Sequence, residues 1–170
     1  MVNLVSFNCR SVRKNIHVVN SLCKKYEVIA LQETFLPQQE SDFLNNIHPN
    51  FTYVASSPVD LSQGILRGRP YGGLAFIFHE NIASSIKVVP TGDDRILCID
   101  INCYGSDIRI INCYMPFYDG SNNEVYLHLL GKINCVFKEH SNNHVSGLGD
   151  FNAHINSELI WALKSPNANT

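Results

Sequence analysis

Eight short apolar runs, rich in β-branched and aromatic residues, constrain the fold of this 170-residue chain more than any other feature. Each run is bounded by polar or turn-forming residues, and this pattern is typical of β-strands. We predict strands at Asn3–Asn8, Val28–Gln32, Thr52–Ala55, Gly73–Phe78, Ile86–Val89, Ile96–Asn102, Ile108–Tyr114 and Val145–Gly149. The turn Tyr104-Gly105-Ser106-Asp107 joins two of them as an antiparallel hairpin. The sequence therefore predicts a strand-rich domain.

Helical patterns are fewer. Apolar residues recur at helical spacing in three segments, which we predict as helices. They are Asn15–Lys25, Ser41–Ile47 and Asn122–Glu139. The glycine- and proline-containing segment Asp60–Tyr71 is predicted as a loop or extended hairpin tip. The mixture indicates one α/β or α+β domain without an internal linker.

Composition excludes several classes of protein. Apolar residues make up 45% of the chain, which is too many for a disordered protein. The net charge is −2, from 13 basic and 15 acidic residues, so any nucleic-acid contact must come from a local site. The apolar runs, such as Gly73–Phe78, are too short to cross a bilayer. With no signal-peptide pattern at the N-terminus, we expect an intracellular protein that is neither secreted nor membrane-bound.

Several predicted strands have a polar residue at or just after the end of their apolar run. These residues are Asn8, Glu33, Tyr114, Asp150 and Asn152. Ends of neighbouring strands can converge in space, and carboxylates with side-chain amides form a hard-oxygen set suited to Mg²⁺ or Mn²⁺. Each residue also has an ordinary structural interpretation: Glu33 as a solvated acid, Tyr114 as a packing residue, and Asp150 or Asn152 as a turn cap.

Five short sequence motifs, called phrases below, occur in the same order as in a known family. They are Ser6-Phe7-Asn8-Cys9-Arg10-Ser11, Leu31-Gln32-Glu33-Thr34, Arg69-Pro70-Tyr71-Gly72-Gly73-Leu74-Ala75, Asn112-Cys113-Tyr114-Met115-Pro116 and Gly149-Asp150-Phe151-Asn152-Ala153-His154. Together they resemble the endonuclease/exonuclease/phosphatase superfamily, and most closely the apurinic-type endonuclease domain of non-LTR (LINE-like) retrotransposons. Each phrase alone is weak, but five in order across nearly the whole chain form a strong signal.

The resemblance implies an α+β fold, a four-layer αββα sandwich, with Mg²⁺-dependent (or Mn²⁺-dependent) hydrolysis of phosphodiester bonds in DNA. By resemblance, Glu33 is the metal-binding glutamate and Asn8 supports the metal or phosphate. Tyr114 contacts the scissile phosphate, Asp150 orients or deprotonates the attacking water, and Asn152 holds the phosphate. A reverse transcriptase domain in the parent element and a nuclear location for action on chromosomal DNA are implied in the same way.

The chain departs from the family pattern after Asn152. The family completes its site with a later acidic residue and a C-terminal Ser-Asp-His motif, and neither follows in this sequence. We therefore expect an incomplete family domain over residues 1–155, without its last strands and with impaired activity, followed by a tail over 156–170. The alternatives are a catalytically inactive module that binds nucleic acid or protein, and a small-molecule phosphatase or phospholipid hydrolase of the same superfamily. Basic residues available for phosphate contacts are Arg10, Arg13, Lys14, Arg67 and Arg69.

Overall fold

The computed structural model describes residues 2–64, 66, 68, 70–103, 105–118, 123–139 and 144–152. The predicted tail over 156–170, with Arg67 and Arg69, lies outside the described residues. The strands are β1 (Leu4–Asn8), β2 (Val28–Gln32), β3 (Phe51–Ser56), β4 (Leu74–His79), β5 (Ile86–Val89), β6 (Ile96–Cys103), β7 (Ser106–Tyr114) and β8 (His144–Asp150). The α-helices are α1 (Ile16–Cys23) and α2 (Asn123–Lys138), and 3₁₀ turns span Gln38–Asn46, Leu61–Gln63 and Glu80–Ser85.

The strands form two four-stranded mixed sheets. The first has the order β1-β2-β4-β3 and the second has the order β5-β6-β7-β8. Of the strand pairs formed by the described residues, two are parallel, β1 with β2 and β7 with β8. In the first pair Asn8 lies opposite Gln32, and in the second Tyr114 lies opposite Asp150. Each parallel pair therefore presents both of its C-terminal ends at the same edge of its sheet.

Three apolar cores separate four layers. Side chains of a strand alternate between its two faces, so a strand buried on both faces contributes to two cores. In β2, Ile29 and Leu31 pack with α1, whereas Val28 and Ala30 pack between the sheets. On the outer face of the second sheet, β6 and β7 pack against α2. The αββα sandwich implied by the family resemblance is thus present, and the described residues place one α-helix on each outer face.

All eight predicted strands are present, with ends within two residues of the predicted bounds. The helix predicted at Ser41–Ile47 is wrong in type, because a 3₁₀ helix occupies Gln38–Asn46. That segment buries only Ser41 and Leu44, and Pro37 at its start provides no side-chain cap. Too little apolar surface is available there to stabilise full α-helical turns. The predicted loop Asp60–Tyr71 contains the short 3₁₀ turn Leu61–Gln63.

Candidate functional site

The C-terminal ends of β1, β2, β7 and β8 lie together at one end of the sandwich. Each sheet contributes one parallel pair, and β8 contacts both β1 and β2 across the interface between the sheets. Asn8 ends β1, Glu33 directly follows β2, Tyr114 ends β7 and Asp150 ends β8. All four side chains are half-buried, so they are held by the protein and still reach solvent.

Asn8 connects the two sheets at this point. Its Nδ2 donates a hydrogen bond to Glu33 Oε1 at 3.1 Å and another to Asp150 Oδ2 at 2.8 Å. Its Oδ1 accepts a hydrogen bond from the backbone N–H of Arg10 at 3.2 Å. One side-chain amide therefore gathers two carboxylates that are far apart in sequence.

The Glu33 backbone is held in a conformation that few residues other than glycine adopt. Its φ is 55°, and its carbonyl oxygen accepts a hydrogen bond from Ser11 N at 2.8 Å. The next residue, Thr34, donates from its N–H to Gly73 O at 3.2 Å. A Cβ at Gly73 would lie 2.3 Å from Thr34 Oγ1, so only glycine fits beside this turn. Strained backbone that the surroundings impose in this way is concentrated at functional sites.

The Asp150 carboxylate is fixed from both oxygens. Oδ1 accepts a hydrogen bond from the Asn152 backbone N–H at 3.0 Å, and Oδ2 accepts the bond from Asn8. Asn152 itself has a φ of 44° and donates from Nδ2 to Met115 O at 2.8 Å. An ionised carboxylate offers about four lone-pair positions. Asp150 is therefore oriented and still has acceptor positions for a water or a metal.

Tyr114 contributes a neutral hydrogen-bond donor. Burial raises the pKa of its phenol, and the charge of Glu33 and a hydrogen bond to that carboxylate raise it further. Asn152 opposes the shift by hydrogen bonding, while the charge of Asp150 adds to it. Because the pKa lies above the ordinary value of 10.0, the phenol stays protonated at neutral pH.

Two buried polar residues next to the site were not assigned a role from the sequence. Gln32 and Asn112 are 2% and 0% exposed, and Gln32 Nε2 donates to Asn112 Oδ1 at 2.6 Å. Gln32 directly precedes Glu33, and Asn112 lies two residues before Tyr114, so both belong to the same short motifs as predicted site residues. The available signal was a large polar residue inside an apolar run, since such a side chain needs a buried partner.

The two carboxylates fit a hard divalent cation. Among the described residues, neither Glu33 nor Asp150 forms a salt bridge with a lysine or arginine. The same part of the chain contains no group of three or more His, Cys, Asp or Glu side chains that could hold a metal. Carboxylate oxygens are ligands of the kind that Mg²⁺ or Mn²⁺ prefers over zinc. Asn8 presents its N–H donors to both carboxylates, so it orients them and is not itself an oxygen ligand between them.

The basic residues that follow β1 differ in whether another side chain already holds them. Arg10 and Lys14 are exposed, and Arg10 lies two residues beyond Asn8. Arg13 is engaged, because its Nη2 lies 2.6 Å from Glu40 Oε2 and its guanidinium stacks 4.3 Å from the Phe43 ring centroid. Arg10 and Lys14 are thus better placed than Arg13 for a phosphate contact.

The structure brings together all five residues selected from the sequence. Asn8, Glu33 and Asp150 are joined by hydrogen bonds, while Tyr114 and Asn152 lie next to the two carboxylates. Their separate roles in chemistry stay predictions.

None of the helices in the described part of the chain combines the length and the apolar character that a membrane span requires.

Structural comparison finds the same fold in proteins of known structure. An AP endonuclease from Archaeoglobus fulgidus superposes with a TM-score of 0.62 at 20% identity, over 92% of this chain and 60% of that one. A 3′ phosphatase from Neisseria, bound to a product DNA hairpin, gives 0.63 at 17% identity, over 92% and 60%. An AP endonuclease from Leishmania major gives 0.64 at 14% identity, over 88% and 54%. The chain thus spans about 60% or less of the length of these structures.

Sequence comparison points to the same group. No curated protein matches the sequence. The family model for the Endonuclease/Exonuclease/phosphatase family matches residues 5–168, which include every residue of the candidate site. Because the match covers nearly the whole sequence and the two-sheet fold agrees with it, this chain belongs to the Endonuclease/Exonuclease/phosphatase family.

Proposed function

We propose that this chain hydrolyses phosphodiester bonds in DNA with the help of Mg²⁺, for which Mn²⁺ can substitute. The observation that carries the proposal is the pair of hydrogen bonds from Asn8 Nδ2 to Glu33 and Asp150. These bonds hold two carboxylates from different sheets at one half-buried point, beside a phenol that stays protonated. A metal-binding acid, a base and neutral donors around one phosphate are the groups that hydrolysis requires.

The contacts support different tasks for the two carboxylates. Asp150 is held through both oxygens, which suits a base that must receive a proton from water in one orientation. Glu33 sits on a strained turn beside the amide of Asn8, which suits a metal ligand. Tyr114 hydrogen-bonds Glu33 in this structure, and its phenol would turn to a phosphate oxygen when DNA is bound, while Asn152 would hold the phosphate from the neighbouring loop.

Glu33, supported by Asn8, would hold the cation. When bound there, Mg²⁺ neutralises phosphate charge and stabilises the departing oxygen. The other contacts to the phosphate come from the second sheet, because Asp150 and Tyr114 lie on that sheet whereas Glu33 and Asn8 lie on the first.

A nicking assay on supercoiled DNA with Mg²⁺ tests the proposal. We expect Glu33→Gln and Asp150→Asn each to reduce cleavage by at least about 100-fold, as loss of one member of a catalytic unit usually does. Glu27→Gln and Asp107→Asn are matched controls. Glu27 precedes β2, the strand that Glu33 follows, and Asp107 lies near the start of β7, which pairs in parallel with the strand that Asp150 ends. Each control therefore lies at the end of its sheet away from the site. The controls should cleave like the wild-type chain.

Equal cleavage by the wild-type chain and both site variants would refute the assignment of Glu33 and Asp150. Direct titration with Mn²⁺, followed by electron paramagnetic resonance, tests the metal site without any need for turnover. We expect binding by the wild-type chain and by Glu27→Gln, and weakened binding by Glu33→Gln. Equal binding by all three proteins would remove Glu33 from the metal site.

We further propose that the chain derives from the endonuclease domain of a non-LTR retrotransposon and acts on chromosomal DNA in the nucleus. The five ordered phrases support this origin, and one fold relative is described as bound to a DNA hairpin. The flanking genomic sequence tests it. A reverse transcriptase in the same reading frame is expected, and a flanking sequence without one would contradict the retroelement origin.

The alternative is a module that binds DNA or a protein without cleaving it. It is favoured by one observation, that Arg10 is exposed two residues beyond Asn8, where it is available to contact a phosphate. Salt-dependent DNA binding by the wild-type chain, without cleavage in Mg²⁺ or Mn²⁺, would select this alternative over the nuclease.

A further inference from the structure

We propose that Asn112 is a positioning residue that sets the offset between the two sheets, so that the two halves of the site meet. This inference rests on the proposed function, since it concerns the same site. One half of the site, Asn8 and Glu33, lies on the first sheet, and the other half, Tyr114 and Asp150, lies on the second.

Asn112 spans the interface between the sheets with its whole side chain. From β7, its Nδ2 donates to Leu31 O at 2.9 Å and to Ala75 O at 3.2 Å, which belong to β2 and β4. Its Oδ1 accepts a hydrogen bond from Gln32 Nε2 at 2.6 Å. The residue is 0% exposed, so water cannot replace these partners.

Apolar side chains pack around Asn112 in this interface, and the bond from Asn8 to Asp150 lies farther along, at the site itself. The core between the sheets contains residues such as Phe76, Ile99 and Ile110. Apolar packing is non-directional, so it favours contact between sheets without selecting one offset as sharply as hydrogen bonds do. The three bonds of Asn112 are directional, and a displacement of the sheets would break them in a medium where unpaired polar groups are costly.

The bonds lie close to the reacting groups along rigid chain. Asn112 is two residues before Tyr114 on β7, and Gln32 is directly before Glu33. β7 is paired on both sides, with β6 and with β8, so its position determines where Asp150 lies as well. Catalytic groups must be held within about 0.5 Å of the productive geometry. The Asn112 bonds supply that constraint within two residues of the site.

Asn112→Leu tests this role, because leucine keeps a similar size and removes all three bonds. Arg109→Met is the matched control. Arg109 lies on the same strand and is also buried, but its guanidinium pairs with Asp100 and donates to Val136 O on the α2 side of the sheet. Both variants lose buried polar bonds, and only Asn112→Leu loses bonds that join the two sheets.

The first readout is the pKa of Tyr114, measured by NMR on ¹³C-labelled tyrosine and assigned with Tyr114→Phe. Burial between the sheets raises the pKa of this phenol most, and the charge and hydrogen bond of Glu33 on the opposite sheet raise it further. In folded Asn112→Leu we expect the pKa to fall towards the ordinary value of 10.0, and in Arg109→Met to stay where it is in the wild-type chain. A stability loss without a shift of the sheets would leave the Tyr114 pKa unchanged.

The second readout is cleavage of DNA. We expect kcat of Asn112→Leu to fall by about 100-fold, the usual effect of a misplacement of about 1 Å, with little change in KM. An unchanged Tyr114 pKa and an unchanged kcat in folded Asn112→Leu would overturn the proposal. If the wild-type chain does not cleave DNA, the proposed function fails, and the Tyr114 pKa still decides the role of Asn112.

Gln32→Met serves if Asn112→Leu does not fold. Methionine fills a similar volume and, of the three bonds that Asn112 forms, removes only the one to its Oδ1. We expect a smaller shift of the Tyr114 pKa in the same direction. No shift in this variant would likewise contradict the proposal.

Discussion

Gly149→Ala is expected to separate β7 from β8 beside the site. Gly149 has a φ of 138° and lies opposite Cys113 in the parallel register. A Cβ at this position would lie 2.0 Å from Cys113 O and 2.8 Å from the Cys113 backbone C and N. All three are backbone atoms, so no side-chain rotation can relieve the contact.

The cost has two parts. Holding alanine at a φ that is nearly restricted to glycine costs about 1–3 kcal/mol. Forcing extra volume against a packed backbone costs a further 1–3 kcal/mol or so. The free energy of unfolding should therefore fall by about 4 kcal/mol, a large part of the roughly 5–15 kcal/mol of a typical domain. Since Asp150 follows Gly149 directly, DNA cleavage should fall as well.

Urea unfolding followed by circular dichroism measures the loss. Gly131→Ala is the control, because Gly131 lies within α2 and an added Cβ there meets no atom within 4 Å. This control should stabilise the chain by about 0.5–1 kcal/mol, since glycine is a poor helix former. A loss below about 1 kcal/mol in Gly149→Ala would refute the steric argument, because the strain alone should exceed it.

Three further predictions concern groups around the site and its supporting helix. Tyr126→Phe should lower the free energy of unfolding by about 1 kcal/mol in urea titrations, because it removes the hydrogen bond from the Tyr126 hydroxyl to Phe151 O. Burial acts to raise the pKa of Asp93, but hydrogen bonds and charges from Lys132 and Arg95 together outweigh it, so the pKa lies below the ordinary 3.8. These contacts therefore stabilise the fold above pH 3.8, and their contribution is lost as pH falls through the folded pKa. Lys132→Met should reduce the loss of stability on acidification in that range. Cys135 is exposed and should be the first cysteine to react with a thiol reagent at pH 8. Cys9, Cys98 and Cys113 should react more slowly, because burial raises the pKa of each thiol to about 12. Cys135→Ser should therefore remove the fastest phase of the labelling reaction.

Local pattern was sufficient to predict the strands and the candidate residues. The run Val28–Gln32 reads as a strand because its residues favour an extended backbone, and it is buried on both faces as a continuous apolar run predicts. The polar residues that follow such runs, Glu33 and Asp150 among them, are the ones that the structure brings together. The polar segment around Ser41 was mispredicted, since its 3₁₀ conformation depends on how little of it the core can bury.

Only the tertiary structure decided how these residues meet. The side-chain amide of Asn8 joins Glu33 to Asp150, although these two acids are more than a hundred positions apart in sequence. The contact depends on which sheets face each other and at what offset. The same holds for Asn112, whose buried partners lie on two strands of the opposite sheet. Propensity acts between near neighbours in sequence, whereas these contacts form only when packing has placed distant strand ends side by side. The sequence by itself thus determined which elements form and which polar residues end them, and sheet packing determined that they form one site.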